Sequence, residues 1–305
     1  MRFQWVYSLF CIHFIRIDRN KHHGDVSSLN LDVAMERRSI MNNMGAALST
    51  SLITTTVSAS DRPSMSVVTD PNTYSALYYA PPNNSELDPL IIVLHGAGRN
   101  EQDIQNLANP QGEHSGLIPS LIESGKAPEI LLDKFAVLAP YSYGKPSFYN
   151  DSRKSLIDFV QWAIQNRNTK DCPINFDPNR IILFGFSDGA TVGVELLTTK
   201  RFIGGVICSY GYTGKTLPGP AIDRLSNIPM WVFHSADDVI FDVGNSDRLV
   251  QQLKRKDSSV VRYSRFDKDP ENLPQRVRGH SMGITASKLP DLYEWMLTLP
   301  SLEKN

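Results

Sequence analysis

From about Val67 onward, short apolar runs alternate with amphipathic stretches along the chain. The run Leu90–Leu94 is apolar throughout, which is typical of a strand that is buried on both faces of a sheet. Comparable runs predict further strands at 74–79, 135–139, 180–184, 203–208, 230–233 and 260–266. The last run alternates with polar residues and is therefore expected near an edge of the sheet.

Stretches with apolar residues at helical spacing separate these runs. They predict helices at 116–123, 155–164, 189–199, 248–254 and 289–299. Such an alternation favours a mostly parallel sheet with helices on both faces, which makes this an α/β protein. We expect one large domain over residues 60–305, without an internal repeat or linker.

The first sixty residues have a different pattern. A short apolar tract at 5–15 is followed by a basic stretch, the pair Arg37 and Arg38, and an uncharged tract at 39–60. The second tract ends in the small residues Val57, Ser58 and Ala59, which suit a signal peptidase. Two such tracts in series resemble a bipartite presequence for the plastid and then the thylakoid lumen.

The alternative interpretation of residues 1–59 is a disordered extension. The alternative locations of the protein are outside the cell, after secretion, or in the cytoplasm. In either case these residues are excluded from the predicted fold. The presequence hypothesis predicts a mature protein that starts near Ser60, which N-terminal sequencing from the native source tests; an intact Met1 would contradict it.

Charge and cysteine content exclude several classes of function. The formal net charge of −1 gives no reason to expect a nucleic-acid partner. The three cysteines, Cys11, Cys172 and Cys208, are too few and too scattered for a disulfide framework or a zinc site. Cys172 and Cys208 could pair, but buried free thiols are the favoured interpretation.

The pattern G-x-S-x-G occurs twice, at residues 185–189 and 279–283. A nucleophile elbow requires a buried strand before the serine and a helix after it. Ser187 has this setting, whereas Ser281 follows a polar, proline-containing stretch. Folds that contain such an elbow also place the acid and then the histidine after the serine in the chain, and no histidine follows Ser281. Ser187 is therefore the predicted nucleophile.

Only His234 and His280 lie beyond Ser187 in the chain. His234 ends a predicted strand and precedes Asp237 and Asp238, so it comes before the acid; packing and loop bonding are the expected roles for it. His280 is left as the general base. Asp238 is preferred as the acid because apolar residues follow it, and Asp237 remains the alternative.

An oxyanion hole is expected from two backbone amides. The loop at 95–98 follows a buried strand and contains two glycines, which let the backbone approach closely. We assign the donors to the N–H groups of Ala97 and Asp188. The full G-x-G-x-x-G spacing is missing from this loop, which argues against nucleotide binding.

With these residues in place, the chain from about residue 74 to residue 299 resembles the α/β-hydrolase superfamily. Within it, the chain is most similar to the phospholipase/carboxylesterase group and to the predicted peptidases and polyhydroxybutyrate-depolymerase-like esterases. In that group the acid lies four residues after the strand-end histidine, which supports Asp238. Ser235 stands where glycine is usual, which affects none of the predicted catalytic residues. The proline that commonly follows the acid is absent, which weakens the choice of Asp238 over Asp237.

The resemblance and the residues together predict a serine hydrolase that cleaves a carboxylic ester or thioester through an acyl-enzyme. A serine peptidase, an acyltransferase and a non-catalytic binding protein of the same fold are the alternatives. The machinery is complete without a metal or an organic cofactor. We expect a small-molecule ester or acyl substrate, no nucleic-acid partner and no stable membrane insertion of the mature domain; no oligomeric state is indicated.

The spacing of the predicted triad also bears on access to the site. Ser187 and Asp238 are separated by 51 positions, and Asp238 and His280 by 42, which leaves no room for a large helical cap. Segments 141–144 and 210–212 each carry two tyrosines after a strand, and they are candidates for aromatic walls around the substrate.

Overall fold

A mixed sheet of eight strands forms the centre of the computed structural model, which describes residues 63–98, 103–142, 148, 153–212, 217–256, 259 and 261–302. The strands of this described part are β1 (Ser66–Thr69), β2 (Ser75–Tyr79), β3 (Leu90–Leu94), β4 (Ala136–Pro140), β5 (Ile181–Phe186), β6 (Gly204–Cys208), β7 (Met230–Ser235) and β8 (Val261–Phe266). All of these residues fall in one compact unit. The predicted presequence at 1–59 lies outside them and stays a prediction.

The strand order is β1-β2-β4-β3-β5-β6-β7-β8. β2 runs antiparallel to both β1 and β4, and the remaining neighbours are parallel. The mostly parallel α/β sheet predicted from the sequence is confirmed, and β8 lies at an edge as expected. Because β3, β5, β6 and β7 are parallel neighbours, the loops at their carboxyl ends meet at the same edge of the sheet.

Helices cover both faces of the sheet. They are α1 (Ile118–Glu123), α2 (Glu129–Lys134), α3 (Arg153–Asn166), α4 (Asp188–Leu197), α5 (Gly219–Leu225), α6 (Gly244–Lys254), α7 (Met282–Ser287) and α8 (Pro290–Leu297), with 3-10 turns at Ile104–Leu107 and Gln275–Val277. One core contains side chains of α3 to α6, and the other contains side chains of α1, α2, α7 and α8. Alternate residues of β3 contribute to each core, which explains its unbroken apolar run.

Between Ser187 and His280, the described residues contain no separate cap domain. After β7, the chain forms α6, which packs against β7 and β8, and α5 packs against α6. Cys172 and Cys208 are free and buried, as interpreted from the sequence, and burial raises the pKa of both thiols. Among the described helices, none has the length and apolar character that crossing a bilayer requires.

Candidate active site

Ser187 occupies a sharp turn between β5 and α4. Its φ of 57° and ψ of −119° lie in a region that residues other than glycine rarely adopt. Gly189 allows this turn because a Cβ there would lie 2.2 Å from the carbonyl oxygen of Leu94 at the end of β3. The turn therefore presses the start of α4 against β3 and holds the largely buried Ser187 at the carboxyl edge of the sheet.

His280 brings two of the predicted site residues together. Its Nε2 lies 2.8 Å from the Oγ of Ser187, and its Nδ1 lies 2.8 Å from the Oδ2 of Asp238. The carboxylate oxygen can only accept a hydrogen bond, so Nδ1 carries the proton and Nε2 presents its lone pair to the serine hydroxyl. This is the tautomer that a general base for Ser187 requires.

Asp238 is held by four donors. Its Oδ1 accepts the N–H groups of Ile240 and Phe241 at 2.8 and 2.9 Å, and its Oδ2 accepts from His280. The Nε2 of His234 lies 3.3 Å from the same Oδ2. Burial alone would raise the pKa of Asp238, but the hydrogen bonds from His234, His280 and the amide of Phe241 hold it well below its usual value. The group facing the imidazole is therefore a carboxylate.

Asp237 points in another direction. Its Oδ1 accepts the hydroxyl of Ser235 at 2.6 Å and the N–H of Asp269 at 3.0 Å, and its Oδ2 lies 3.8 Å from the guanidinium of Arg278. The hydrogen bond from Ser235 is the main reason why the pKa of Asp237 is lowered. Of the two adjacent aspartates, the structure brings Asp238 to the base.

His234 is fully buried and bonded to its loop, as interpreted from the sequence. Its single Nε2–H is shared between the carbonyl of Phe241 at 3.0 Å and the Oδ2 of Asp238 at 3.3 Å. Its Nδ1 therefore accepts the hydroxyl of Ser246 at 2.7 Å. Sequence reasoning missed its contact with Asp238, although the spacing of four residues between the two was visible.

The loop after β3 passes over the nucleophile. A Cβ on Gly96 would lie 3.0 Å from the Cβ of Ser187, so a side chain there would crowd the serine. The loop continues to Ala97, and Asp188 opens α4, where helix amides concentrate positive potential. Both assigned oxyanion donors therefore belong to segments that border Ser187, and their role stays a prediction.

His95 anchors this loop. Its Nδ1–H donates to the carbonyl of Gly96 at 2.6 Å, and its Nε2 accepts the N–H of Ser142 at 3.1 Å. Burial, assisted by the neighbouring His114, lowers the pKa of His95 to about 3. His95 is therefore neutral at physiological pH and supports the loop by hydrogen bonding.

Aromatic rings enclose the base. The rings of Phe186 and Phe241 lie 5.3 and 5.4 Å from that of His280. Of the tyrosines predicted to form aromatic walls, Tyr141 and Tyr210 are buried, and Tyr212 is partly buried and stacked on Tyr210. Tyr143 lies outside the described residues, and the role of these tyrosines as walls stays a prediction. The second residue of the G-x-S-x-G pattern, Phe186, was the sequence signal that could have identified this contact.

Within the described residues, no group of three or more His, Cys, Asp or Glu side chains is arranged to hold a metal ion. The described residues bring a serine hydroxyl, an imidazole and a carboxylate into one hydrogen-bonded line at the carboxyl edge of the parallel strands.

Comparison with known proteins agrees with this architecture. A thermostable esterase of known structure superposes with a TM-score of 0.57 at 22% identity, over 78% of this chain and 63% of the esterase. The Pyrococcus horikoshii acylaminoacyl peptidase superposes with a TM-score of 0.52 at 12% identity, over 80% of this chain and 43% of the peptidase. The chain has the α/β-hydrolase fold. The predicted resemblance to this superfamily is thereby confirmed at the level of the fold.

Sequence relatives add little to the α/β-hydrolase assignment. No family model matches the chain. MhqD of Bacillus subtilis (strain 168), which is named as a hydrolase, is 22% identical over 186 residues, covering 58% of this chain and 82% of MhqD. The chain spans less than two thirds of the esterase to which it is structurally similar, and about two fifths of the peptidase.

Proposed function

We propose that this α/β-hydrolase-fold protein is a serine hydrolase that cleaves a carboxylic ester or thioester through an acyl-enzyme. The observation that carries the proposal is the continuous hydrogen-bonded line from Ser187 through His280 to Asp238, with both distances at 2.8 Å. A hydroxyl is a poor nucleophile until a base takes its proton, and this line supplies the base and the group that orients it.

The reaction would proceed in two steps. In the first, Ser187 Oγ attacks the substrate carbonyl while His280 Nε2 takes its proton, and the oxyanion is stabilised by the amides of Ala97 and Asp188. His280 then gives that proton to the leaving alcohol or thiol, and the acyl group remains on Ser187. In the second step, His280 deprotonates a water molecule, which attacks the acyl-enzyme carbonyl. The bond to the Oγ of Ser187 then breaks, His280 returns the proton to that oxygen, and the carboxylic acid leaves.

The surroundings of His280 support an ester with an apolar portion. Phe186 and Phe241 contact the imidazole, and Val239 and Ile240, immediately after the acid, are each 45% exposed. Exposed large apolar side chains beside a reactive centre are suited to contact an apolar group of a substrate. The solved esterase with a similar fold supports the same class of reaction.

A peptidase is the second candidate, because the acylaminoacyl peptidase from Pyrococcus horikoshii shares the fold. Amide and ester hydrolysis use the same acyl-enzyme and differ in the leaving group. A panel of p-nitrophenyl esters, a thioester and acylated peptides therefore distinguishes the two activities. We expect ester or thioester turnover to exceed peptide turnover; faster cleavage of peptides would favour the peptidase.

Labelling with a fluorophosphonate tests the proposal directly. The full chain is treated with the probe, and the adduct is located by peptide mass spectrometry. We expect the adduct on Ser187, absent in Ser187→Ala and reduced in His280→Ala. No adduct on folded protein, or an adduct on Ser281, would contradict the assignment and favour a binding protein.

A further inference from the structure

The second serine of the repeated pattern is tied to a carboxylate. The Oγ of Ser281 lies 2.5 and 2.6 Å from the two carboxylate oxygens of Asp269, and its N–H donates to Oδ2 at 3.0 Å. Ser281 is fully buried, so neither donor has water as a ready alternative. Because Ser281 directly follows His280, Asp269 fixes the backbone on the carboxyl side of the base.

Asp269 is itself fixed to the end of a core strand. Its N–H donates to the Oδ1 of Asp237 at 3.0 Å, and the same oxygen accepts the hydroxyl of Ser235, the last residue of β7, at 2.6 Å. The side chain of Asp269 also accepts the N–H of Glu271 at 2.9 Å, which holds its carboxylate in orientation. A line of hydrogen bonds therefore runs from the sheet to the residue beside the base.

The backbone on the other side of His280 is also constrained. Gly279 has a φ of 78°, and a Cβ there would lie 2.3 Å from the peptide that joins Asp237 and Asp238. The end of β7 therefore carries two adjacent aspartates with different tasks. Asp238 holds the imidazole, whereas Asp237 holds, through Asp269, the backbone that carries it.

We propose that Asp269 and Ser281 are positioning residues for the general base His280. The inference rests on the proposed function. A base must stay within hydrogen-bond distance of the hydroxyl that it deprotonates, and both contacts of the imidazole are 2.8 Å. Displacing the backbone at Ser281 moves the imidazole away from the line between Ser187 and Asp238.

Three variants of the full chain test this role, with Asp267→Ala as the matched control. Ser281→Ala removes the hydroxyl, and Asp269→Ala removes the carboxylate that accepts both the hydroxyl and the N–H of Ser281. The double variant combines the two substitutions. Asp267 lies two residues from Asp269, but its side chain is fully exposed. The readouts are the rate of fluorophosphonate labelling at Ser187, and kcat and KM with a p-nitrophenyl ester.

We expect kcat and the labelling rate to fall about 10- to 100-fold in Ser281→Ala and Asp269→Ala, because small misplacements of a catalytic group have effects of this size. KM should stay within about twofold, since a displaced His280 weakens proton transfer in the transition state but leaves the contacts that bind the substrate unchanged. The double variant should be no slower than Asp269→Ala, because the two substitutions remove the same contact between Ser281 and Asp269. Asp267→Ala should match the wild type.

Circular dichroism and the melting temperature identify variants that are not folded, and Ser281→Ala alone carries the test if Asp269→Ala fails to fold. Folded variants with an unchanged kcat and labelling rate would overturn the positioning role while leaving the proposed function intact. A change confined to KM would overturn it as well. A folded wild-type chain that is neither labelled nor active would overturn the proposed function and this inference together.

Discussion

The segments 185–189 and 279–283 carry the same G-x-S-x-G pattern, and they use their serines in opposite ways. Ser187 has a φ of 57° at a strand-to-helix turn and directs its hydroxyl to the base. Ser281 has a φ of −134° before a short helix and directs its hydroxyl to a carboxylate. The two segments meet, because His280 of the second contacts both Phe186 and Ser187 of the first.

One glycine of each segment lies against the backbone of another part of the chain. A Cβ on Gly189 would lie 2.2 Å from the carbonyl oxygen of Leu94, and one on Gly279 would lie 2.3 Å from the amide of Asp238. Each segment therefore lies directly against the carboxyl end of a neighbouring strand. The close contact falls on the last glycine of the first segment and on the first glycine of the second, so the shared pattern does not mark one common contact. The surroundings of each serine decide its chemistry.

The largest expected difference between the segments is that between the two serine variants. Ser187→Ala removes the nucleophile and should lower kcat about 10⁵- to 10⁶-fold, as loss of a triad serine does. Ser281→Ala should lower it only about 10- to 100-fold, because the base is displaced but present. Initial rates with a p-nitrophenyl ester measure both. Equal losses in the two variants would mean that the serines do not have separate roles.

The adjacent aspartates at the end of β7 give the next largest contrast. Asp238→Asn leaves the shape intact but can present an amide to His280 Nδ1, and the wrong tautomer should lower kcat about 10⁴-fold. Asp237→Asn should lower it about tenfold, because Asp237 contacts Asp269 and not the imidazole itself. A larger loss in Asp237→Asn than in Asp238→Asn would reverse the assignment of the acid.

The sequence was sufficient for the elements that are long, apolar or bounded by clear turns. β3 was predicted with its observed limits, and β5 and α4 within a few residues. β1 was missed because only one of its four residues is buried, which leaves no apolar pattern to recognise. α2 was missed for the same reason, since Leu131 is its only buried residue. Such short elements are formed by contacts with the rest of the chain, so their own sequence carries little signal.

The same limit applied at the site. Ser187 and His280 could be chosen from chain order, because the fold fixes the order of the triad. The role of Asp269 could not, since its partners Asp237 and Ser281 lie 32 and 12 residues away and meet only in the tertiary structure. No local pattern distinguishes such a carboxylate from its solvated neighbour Asp267.

Glycine substitutions compare what the two segments pack against. Gly189→Ala directs a methyl group into the backbone of Leu94 and should destabilise the fold by about 3 kcal/mol or more. Gly283→Ala would place a Cβ 2.6 Å from the Cγ of Phe186, so this half-buried side chain must move as a whole. No backbone has to move, and the loss should be smaller, about 2 kcal/mol. Urea unfolding measures both.

The matched control for these glycine variants is Gly219→Ala. A Cβ at this position meets nothing within 4 Å, so stability should stay the same or rise by less than about 1 kcal/mol. If Gly283→Ala proved more destabilising than Gly189→Ala, the first segment would not be the more tightly packed of the two.

The last comparison concerns the charge of the support beneath each segment. Gly189 lies against the carbonyl of His95, which is neutral because burial lowers its pKa to about 3, whereas the second segment rests on aspartates. The folded-state pKa of His95 lies below the unfolded value of about 6.5, so below pH 6.5 only the unfolded chain takes up this proton. Between pH 7 and pH 5, His95 should therefore lower the free energy of unfolding by about 2 kcal/mol.

Urea unfolding of the wild type and of His95→Gln at both pH values isolates this contribution, since glutamine can donate and accept hydrogen bonds without titrating. An identical loss of stability in both proteins would show that His95 takes up its proton without unfolding.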